Sequence, residues 1–455
     1  MKIKTFAELT TPDEFVLRLT PLGFSTMGSL SAGDAAEFQQ ETIARADLHD
    51  DVPEDTRRNF ERLRALHSYG ILCYDAYTVA EDLAWLVLEG ALRERFIFVY
   101  SGEIPLVKAD GIEHPIVARH FEEVDEAFRP GGSHARGKWR LKLTTGGSMP
   151  FRGRMGQLLE WARRDGLLPG QGNKKLDDVY VRLRNNVAHP HYHLAMPPDS
   201  ARAIRDLAEI INRLWGHPTP GGRLYPAPLT REPMVIAWRG DPPRHELTIM
   251  RAEQLEHFKE LGDWHCIVVR AVAEDDGLWD FDAHHERTLF PAEPLWGPGT
   301  REDALRWLSV ERPKTDTVEH LDRLFTLRIH DRRVSLPIAP ETMLGLPEGL
   351  RFGDWLVLRA DFPNHALGHA RHLKDDIPCG TEEPITRREA NGLVMTIPPI
   401  PACPVEEVAR GSWEGVAAAL EVGYHLTARR AIPPVRVPPR FGLAPDIEVL
   451  TDSYR

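Results

Sequence analysis

The sequence predicts an α+β protein: an N-terminal helical bundle that carries a β insert, followed by a β-rich C-terminal domain. Two periodic patterns of apolar residues and the length of the chain predict this fold class. Between about residues 55 and 217, apolar residues recur mostly at spacings of three and four, as on one face of a helix. Beyond the Pro- and Gly-rich segment 216–228 the spacing becomes two, as in half-buried strands. A chain of 455 residues is long enough for two or three domains, each with its own core.

These changes of pattern predict four segments. In chain order they are a helical extension at 1–54, a helical domain at 55–217 with an insert at about 97–150, a β-rich domain at 229–375, and a Pro-rich region at 376–455 with one helix from 404 to about 429.

Individual elements follow from caps and periodicity. Thr11-Pro12-Asp13-Glu14 is a typical helix start. Further helices are predicted at 32–46, at 55–96 with a bend at Gly70, and at 153–164, 174–188, 197–216 and 301–308. Strands are predicted at 96–100, 139–143, 234–238, 246–249, 266–272, 324–329, 334–338 and 355–358, with a hairpin turn at 330–333.

Charge is distributed unevenly along the chain. The formal net charge is −12, which by itself disfavours a nucleic-acid partner. Residues 129–184, however, contain 13 Lys or Arg and four Asp or Glu, a local charge of 13 − 4 = +9, so the rest of the chain carries −21. Such a segment favours a surface for an anionic partner, and its glycines are equally compatible with a solvated loop.

Cysteine content and hydropathy indicate the compartment. The four cysteines, at 73, 266, 379 and 403, include no CxxC pair and are too scattered for a disulfide framework. No apolar run approaches the roughly 18 residues of a membrane helix, and the first residues lack the apolar segment of a signal peptide. We therefore expect a cytoplasmic protein with no membrane partner.

Three Arg and His pairs with four residues between them are the candidate motifs: Arg62/His67, Arg129/His134 and Arg184/His189. The spacing alone is weak, because about two such pairs arise by chance in a chain with this many arginines and histidines. Only the third has an informative setting. It lies at the end of a predicted amphipathic helix, before Pro190, and a short loop and a capped helix follow.

This setting resembles the HEPN (higher eukaryotes and prokaryotes nucleotide-binding) domain family, whose ribonuclease members carry Arg, a polar residue and a following His at this point. The resemblance covers about residues 55–217, and the insert departs from the compact family pattern. Arg184, Asn185 and His189 match the motif. Glu89 and Arg93 resemble an acidic and basic pair that some members carry on an earlier helix.

The resemblance implies a metal-independent endoribonuclease that acts as a homodimer. It also implies a toxin or antiviral-defence role, with an antitoxin or regulatory protein as a possible partner.

The chemistry suits these residue types. When RNA is cleaved by its own 2′-hydroxyl, a base removes that proton and an acid protonates the leaving oxygen, and a histidine serves either role near pH 7. A guanidinium matches the phosphate, and neither a metal nor a cofactor is needed. An offset of five positions places Arg184 and His189 about 140° apart around an ideal helix. A helix break at Pro190, or a dimer that pairs two motifs, would bring them together. Asn185 would orient the site.

The basic segment supplies a predicted RNA-binding surface. Its residues are Arg136, Lys138, Arg140, Lys142, Arg152, Arg154, Lys174, Lys175 and Arg182, and the first four alternate along a predicted strand. Trp139 could stack on a base, although a core position is the stronger interpretation.

Several alternatives stay open. The helical domain could be a non-catalytic adaptor that binds RNA, nucleotide or a protein, or the β-rich region could carry the main activity. His191 and His193 could contact phosphate, or bind a metal together with His189. For residues 280–285, a polar turn is a stronger interpretation than a metal site. The spacing of His365, His369 and His372 is more typical of a solvated helix face than of a metal site. No Walker A, GxGxxG or Gly-x-Ser-x-Gly motif supports nucleotide or hydrolase-elbow chemistry.

Overall fold

The computed structural model describes the greater part of the chain, in these ranges: 3–26, 28–108, 111–188, 194–239, 246–259, 264–272, 293–331, 333–334, 348, 351–377, 384–388, 394–397 and 403–424. It is a mixed fold of helices and sheets, which confirms the predicted α+β class at that level. The chain divides into two compact units. The first comprises Met1–Pro169 and Asn173–Ala227, and the second Gly170–Gly172 and Pro228–Arg455.

The first unit is mostly helical. Its helices are α1 (Phe6–Leu9), α2 (Glu14–Leu17), α3 (Ala32–Glu41), α4 (Glu54–Ser68), a 3₁₀ turn (Tyr69–Ile71), α5 (Asp75–Val99), α6 (Phe121–Phe128), α7 (Met155–Arg164), α8 (Gln171–Ala188) and α9 (Pro197–Leu214). Its strands are β1 (Leu19–Thr20), β2 (Gly23–Phe24), β3 (Glu103–Ile104), β4 (Leu106–Lys108), β5 (Ile116–Val117), β6 (Trp139–Lys142) and β7 (Ser148–Pro150).

Helix α5 is the centre of this unit and packs against α4, α7 and α9. Buried apolar side chains follow one another along most of the helix, from Tyr77 to Phe96. At the C-terminal end, the ring of Phe96 stacks on Phe151 with centroids 4.9 Å apart and meets the edge of Trp161 at the same distance. This aromatic cluster fixes the end of α5 against α7 and against the strand region that precedes α7.

The helix predicted over 55–96 with a bend at Gly70 is divided into two helices, α4 and α5, because the α-helical pattern is interrupted between Ser68 and Asp75. Gly70 lies directly against the ring of Tyr77, where an added Cβ would be 2.3 Å from the nearest ring atom. The close approach requires glycine, which is also a poor helix former, and so the helix ends there.

The predicted strand at 96–100 is also wrong, since residues up to Val99 belong to α5. A short apolar run does not distinguish a strand from a buried helix end by periodicity alone, and here the contacts of Phe96 decide for the helix.

The region predicted as the β insert contains short strands. Strands β3 and β5 pair antiparallel, and β4, β6 and β7 form a three-stranded antiparallel sheet, with α6 between β5 and β6. The predicted strand at 139–143 corresponds to β6. Near the N-terminus, the predicted helix start at Thr11-Pro12 is two residues too early, because Asp13 caps α2 and the helix begins at Glu14. Helix α3 ends at Glu41, five residues before its predicted end.

The second unit contains most of the sheet. Its strands are β8 (Leu229–Arg239), β9 (Glu246–Arg251), β10 (His265–Val272), β11 (Glu293–Thr300), β12 (Asp316–Val318), β13 (Arg323–His330), β14 (Arg333–Val334), β15 (Asp354–Ala360), β16 (Ile385–Arg388), β17 (Val394–Ile397) and β18 (Val405–Gly411). Its helices are a 3₁₀ helix (Ala252–Glu256), α10 (Arg301–Glu311), α11 (Pro363–Lys374) and α12 (Trp413–Tyr424).

Two antiparallel sheets organise this unit. One contains β11, β10, β8 and β12 in that order, with β9 also paired to β8, and the other has the order β14-β13-β15-β18. The predicted hairpin is confirmed, because His330 pairs with Arg333 across β13 and β14. Residues 335–338 of the predicted strand lie outside the described residues.

The predicted helix at 404–429 is wrong in its first part. Residues 405–411 form β18, which pairs with β15 along its length, and the helix begins only at Trp413. Its ring packs against Trp355 of β15, with centroids 4.8 Å apart. Tertiary pairing with an adjacent strand thus determines the structure of a segment whose local pattern is ambiguous.

Membrane insertion of a helix finds no support in the described part of the chain. None of the helices described there is both long and apolar enough to cross a bilayer.

Candidate functional site

Arg184 lies about one turn before the end of α8, and its guanidinium contacts Glu89 of α5. Its Nε donates to Glu89 Oε2 at 2.5 Å. The Glu89 side chain is only 9% exposed, whereas that of Arg184 is 29% exposed. The residues that the sequence placed on two separate helices are therefore in direct contact, with the carboxylate buried and the guanidinium reaching toward solvent.

The same carboxylate binds a second arginine. Arg93, one turn after Glu89 on α5, donates from Nη2 to Glu89 Oε1 at 2.8 Å. Arg93 Nη2 also lies 3.5 Å from Asp125 Oδ2 on α6, and its guanidinium stacks 4.9 Å above the ring of Phe121. Two arginines and two carboxylates thus form one network that joins α5, α6 and α8, and we call it the Glu89 network.

Asp125 is the member of this network that the sequence analysis missed. It lies within the insert, in a run of acidic residues on α6, and nothing in its local pattern distinguishes it from its neighbours. Burial raises the pKa of the Asp125 carboxyl, and the positive charges of Arg93 and Arg129 oppose that shift. The insert therefore contributes directly to the environment of the predicted site.

Of the predicted catalytic residues, the structure describes Arg184 and Asn185. Asn185 is exposed, and its Oδ1 lies 3.4 Å from Arg184 Nη1. At this distance its amide could orient the guanidinium, as predicted for Asn185. His189 lies outside the described residues, as do His191 and His193. The described chain resumes at Leu194, and the Ala195 N–H donates to Thr78 Oγ1 of α5 at 2.9 Å.

The two other Arg-x4-His pairs have buried histidines. His67 is fully buried, and its ring nitrogens contact Ser200 Oγ at 3.0 Å and the Gln39 carbonyl at 3.2 Å. His134 is buried as well, between Ser133 Oγ and the carbonyl of His114. Both histidines are therefore core residues with a structural role. Of the three pairs, Arg184/His189 alone remains a candidate site.

Part of the predicted RNA-binding surface is assembled around one turn. Arg152 Nη2 donates to the carbonyl of Gly137 at 3.0 Å, which joins the start of α7 to the loop before β6. Gly137 lies between Arg136 and Lys138, and Arg154 is the residue just before α7. These four cations, Arg136, Lys138, Arg152 and Arg154, are all exposed, and we call them the basic turn.

The predicted alternation of charge along one strand is only half correct. Strand β6 begins at Trp139, so Arg136 and Lys138 precede it. Within β6, Arg140 and Lys142 do lie opposite the buried Trp139, but both are already engaged. Arg140 binds the side chain and the carbonyl of Ser148, and Lys142 pairs with Glu113.

Trp139 is a core residue, since it is buried and its indole N–H donates to the carbonyls of His134 and Arg136. Base stacking by Trp139 is therefore excluded. The remaining predicted cations, Lys174, Lys175 and Arg182, are exposed on α8.

The histidines of α11 do not form a solvated face, which corrects the sequence interpretation. His365, His369 and His372 are half-buried, because α11 packs on the sheet of β13 and β15. His369 Nε2 lies 3.9 Å from Glu407 Oε2 on β18, and burial lowers the pKa of His369 despite that carboxylate. The polar cluster at 280–285 lies outside the described residues.

Comparison with known proteins identifies no relative of this chain. No family model, no curated protein and no solved structure matches the chain. The geometry of the site therefore has to be interpreted from its own residues.

We expect Glu89→Gln to lower the free energy of unfolding by about 2 kcal/mol. The amide keeps the size of the side chain but leaves Arg184 and Arg93 without the buried charge that holds them, and their partial exposure limits the cost. Urea unfolding monitored by circular dichroism measures the change. Glu160→Gln is the matched control, since its pair with Arg164 is half-exposed and should contribute less than about 0.5 kcal/mol. Equal effects of the two variants would contradict a structural role for the Glu89 network.

Proposed function

We propose that this chain is a metal-independent endoribonuclease whose site comprises Arg184, Asn185 and His189. The observation that carries the proposal is the position of Arg184 at the end of α8, held by the Nε contact to the buried Glu89. Of its five N–H donors, two are engaged with Glu89 and Asn185 among the described residues. Its other N–H groups have no partner among the described residues and would bind an anion, while the contact of Nε with Glu89 fixes the guanidinium.

A fixed guanidinium suits phosphoryl transfer. A scissile phosphate on Arg184 would gain charge-assisted hydrogen bonds without the cost of ordering a long side chain, because Glu89 has already ordered it. As the 2′-oxygen attacks phosphorus, negative charge builds on the phosphate oxygens, and a preorganised cation stabilises that charge most.

His189 would transfer the protons. As a base it takes the 2′-hydroxyl proton, or as an acid it protonates the leaving 5′-oxygen as the P–O5′ bond breaks. The products are a 2′,3′-cyclic phosphate and a 5′-hydroxyl, and no metal takes part. The histidine of a second copy would complete the pair of acid and base, in accordance with the homodimer that the family resemblance implies.

The basic turn is the proposed contact for the RNA backbone outside the scissile phosphate. Four exposed cations on adjoining loops would neutralise phosphates, and their contribution should decrease with salt. The acidic remainder of the chain, at −21, repels nucleic acid elsewhere and would confine binding to this side.

A non-catalytic adaptor is the second candidate, favoured by a specific feature of the Glu89 network. Its two arginines are balanced by Glu89 and Asp125, so that the charge of the four residues sums to zero. A closed network of this kind is also what a purely structural role would produce.

Incubation of the purified chain with total RNA tests the two functions. We expect cleavage that continues in excess EDTA, yields 2′,3′-cyclic phosphate ends and weakens between 50 and about 200 mM salt. Salt-sensitive binding with no cleavage would establish the adaptor instead. Cleavage that EDTA abolishes would overturn the metal-independent mechanism.

A further inference from the structure

Two histidines and an aspartate from distant parts of the first unit meet at one point. His49 and Asp51 lie between α3 and α4, and His217 follows the C-terminal end of α9. Asp51 Oδ2 is 2.8 Å from His217 Nε2 and 3.5 Å from His49 Nδ1. One ligand atom from each of the three residues lies within 4.8 Å of the other two. His49 and Asp51 are exposed and His217 is half-buried, so solvent ions reach the group.

A buried side chain holds the two segments that carry these residues. The Asn212 amide, only 3% exposed, accepts from the His49 N–H at 2.8 Å and donates to the Asp47 carbonyl and to Thr219 Oγ1. The His217 N–H in turn donates to the Asn212 carbonyl at 3.0 Å, where Gly216 in the left-handed region ends α9. The backbone positions of His49 and His217 are therefore fixed by the fold, and Asp51 lies two residues after His49.

The donor set is that of a transition-metal site. Two imidazoles and one carboxylate form a common three-ligand set for Zn²⁺, with water in the fourth position. Ligand atoms at normal zinc distances lie about 3.4 Å apart in a tetrahedral site, close to the 3.5 Å between His49 Nδ1 and Asp51 Oδ2. His49 Nδ1 accepts a hydrogen bond from the Asp51 N–H at 3.2 Å, and the ring gives up this bond when Nδ1 turns to the ion.

The stacking of the two imidazoles requires one ring to turn before both can bind the same ion. The imidazoles of His49 and His217 are stacked, with centroids 3.4 Å apart and planes 9° from parallel, so that their lone pairs lie in parallel planes. Coordination of one ion requires one ring to turn about its Cβ–Cγ bond, a torsion with a broad, shallow profile. The exposed side chain of His49 has room for this rotation.

We propose that His49, Asp51 and His217 bind one divalent transition-metal ion, of which Zn²⁺ is the favoured member. The ion clamps the segment before α4 to the end of α9.

Zinc titration of the EDTA-stripped full chain at pH 7.5, followed by calorimetry, tests this site. Other histidines add weaker binding, so the comparison of variants is decisive. We expect His49→Ala and His217→Ala each to weaken the tightest zinc equivalent at least tenfold, and Asp51→Asn to weaken it less. His257→Ala is the matched control, an exposed histidine of the second unit, and should leave binding unchanged.

A second readout guards against misfolded variants. Zn²⁺ should raise the Tm of the wild-type chain and of His257→Ala, but not that of the His49→Ala/His217→Ala double variant. An unchanged circular dichroism spectrum shows that the double variant is folded. Equal zinc affinity of the double variant and the wild type, or no tight equivalent in the wild type, would overturn the proposal. The outcome is independent of the proposed ribonuclease, whose cleavage should persist in EDTA.

Discussion

His189→Ala is expected to reduce the rate of RNA cleavage by about 10²- to 10⁴-fold, the usual contribution of a positioned acid or base. Arg184→Ala should reduce the rate by a comparable factor, since it removes the proposed phosphate-binding cation, which contacts Glu89. Arg184→Lys should recover little, because an ammonium cannot contact Glu89 and a phosphate through two edges at once. Single-turnover cleavage of a labelled RNA measures these rates.

Matched controls separate catalysis from general damage. Arg205→Ala and His120→Ala alter an exposed arginine on α9 and an exposed histidine before α6, neither of which belongs to the proposed site. We expect rates within a few-fold of the wild type for both. If Arg184→Ala and His189→Ala also cleave at the wild-type rate while remaining folded, the assignment of the site is wrong.

Mixing the two inactive variants tests whether the site is shared between copies. If Arg184 of one chain acts with His189 of another, a mixed dimer of Arg184→Ala and His189→Ala contains one intact site of two. Random mixing would then restore about a quarter of the wild-type activity. A site within one chain gives no restoration, because each chain then lacks one essential group.

Acidification from pH 7 to pH 4 is expected to lower the free energy of unfolding by about 3 kcal/mol through His67 alone. Burial without a charged partner lowers the pKa of His67 from its usual 6.5 to about 4, and the hydrogen bond to the Gln39 carbonyl only partly opposes this. Below pH 6.5, His67 therefore binds a proton in the unfolded chain but stays neutral in the folded chain. The stability is complete above pH 6.5 and is lost as the pH falls from 6.5 to about 4.

Urea unfolding at a series of pH values measures this loss. His67→Gln keeps a polar side chain near Ser200 and Gln39 but does not titrate, so stability should depend less steeply on pH between 6.5 and 4. His120→Gln, at an exposed position, should leave the slope unchanged. A His67→Gln protein with the same slope as the wild type would show that other groups dominate acid unfolding.

Local signals predicted several elements of the structure correctly. The proline start of α9 and the strands β8, β10 and β13 depend on signals from neighbouring residues, and all are found near their predicted positions. The errors occur where a distant contact decides, as with β18, which has no strand pattern of its own and follows β15. Gly70 is a further example, since its role depends on the ring of Tyr77.

The sequence by itself determined the α+β composition, the basic segment at 129–184 and the choice of Arg184 over its two alternatives. Helix periodicity and charge are properties of neighbouring residues in the chain, and both can be recognised without knowledge of the fold. The sequence also suggested Glu89 and Arg93, although it could not show what they contact.

Only the tertiary structure decided which side chains meet. It brought Glu89 to Arg184 across 95 positions, added Asp125 from the insert, and placed His67 and His134 in the core. It also joined His217 to Asp51 across 166 positions. Such contacts depend on how helices cross and where loops close, and packing over the whole unit sets both, so that a single sequence carries no local signal for them.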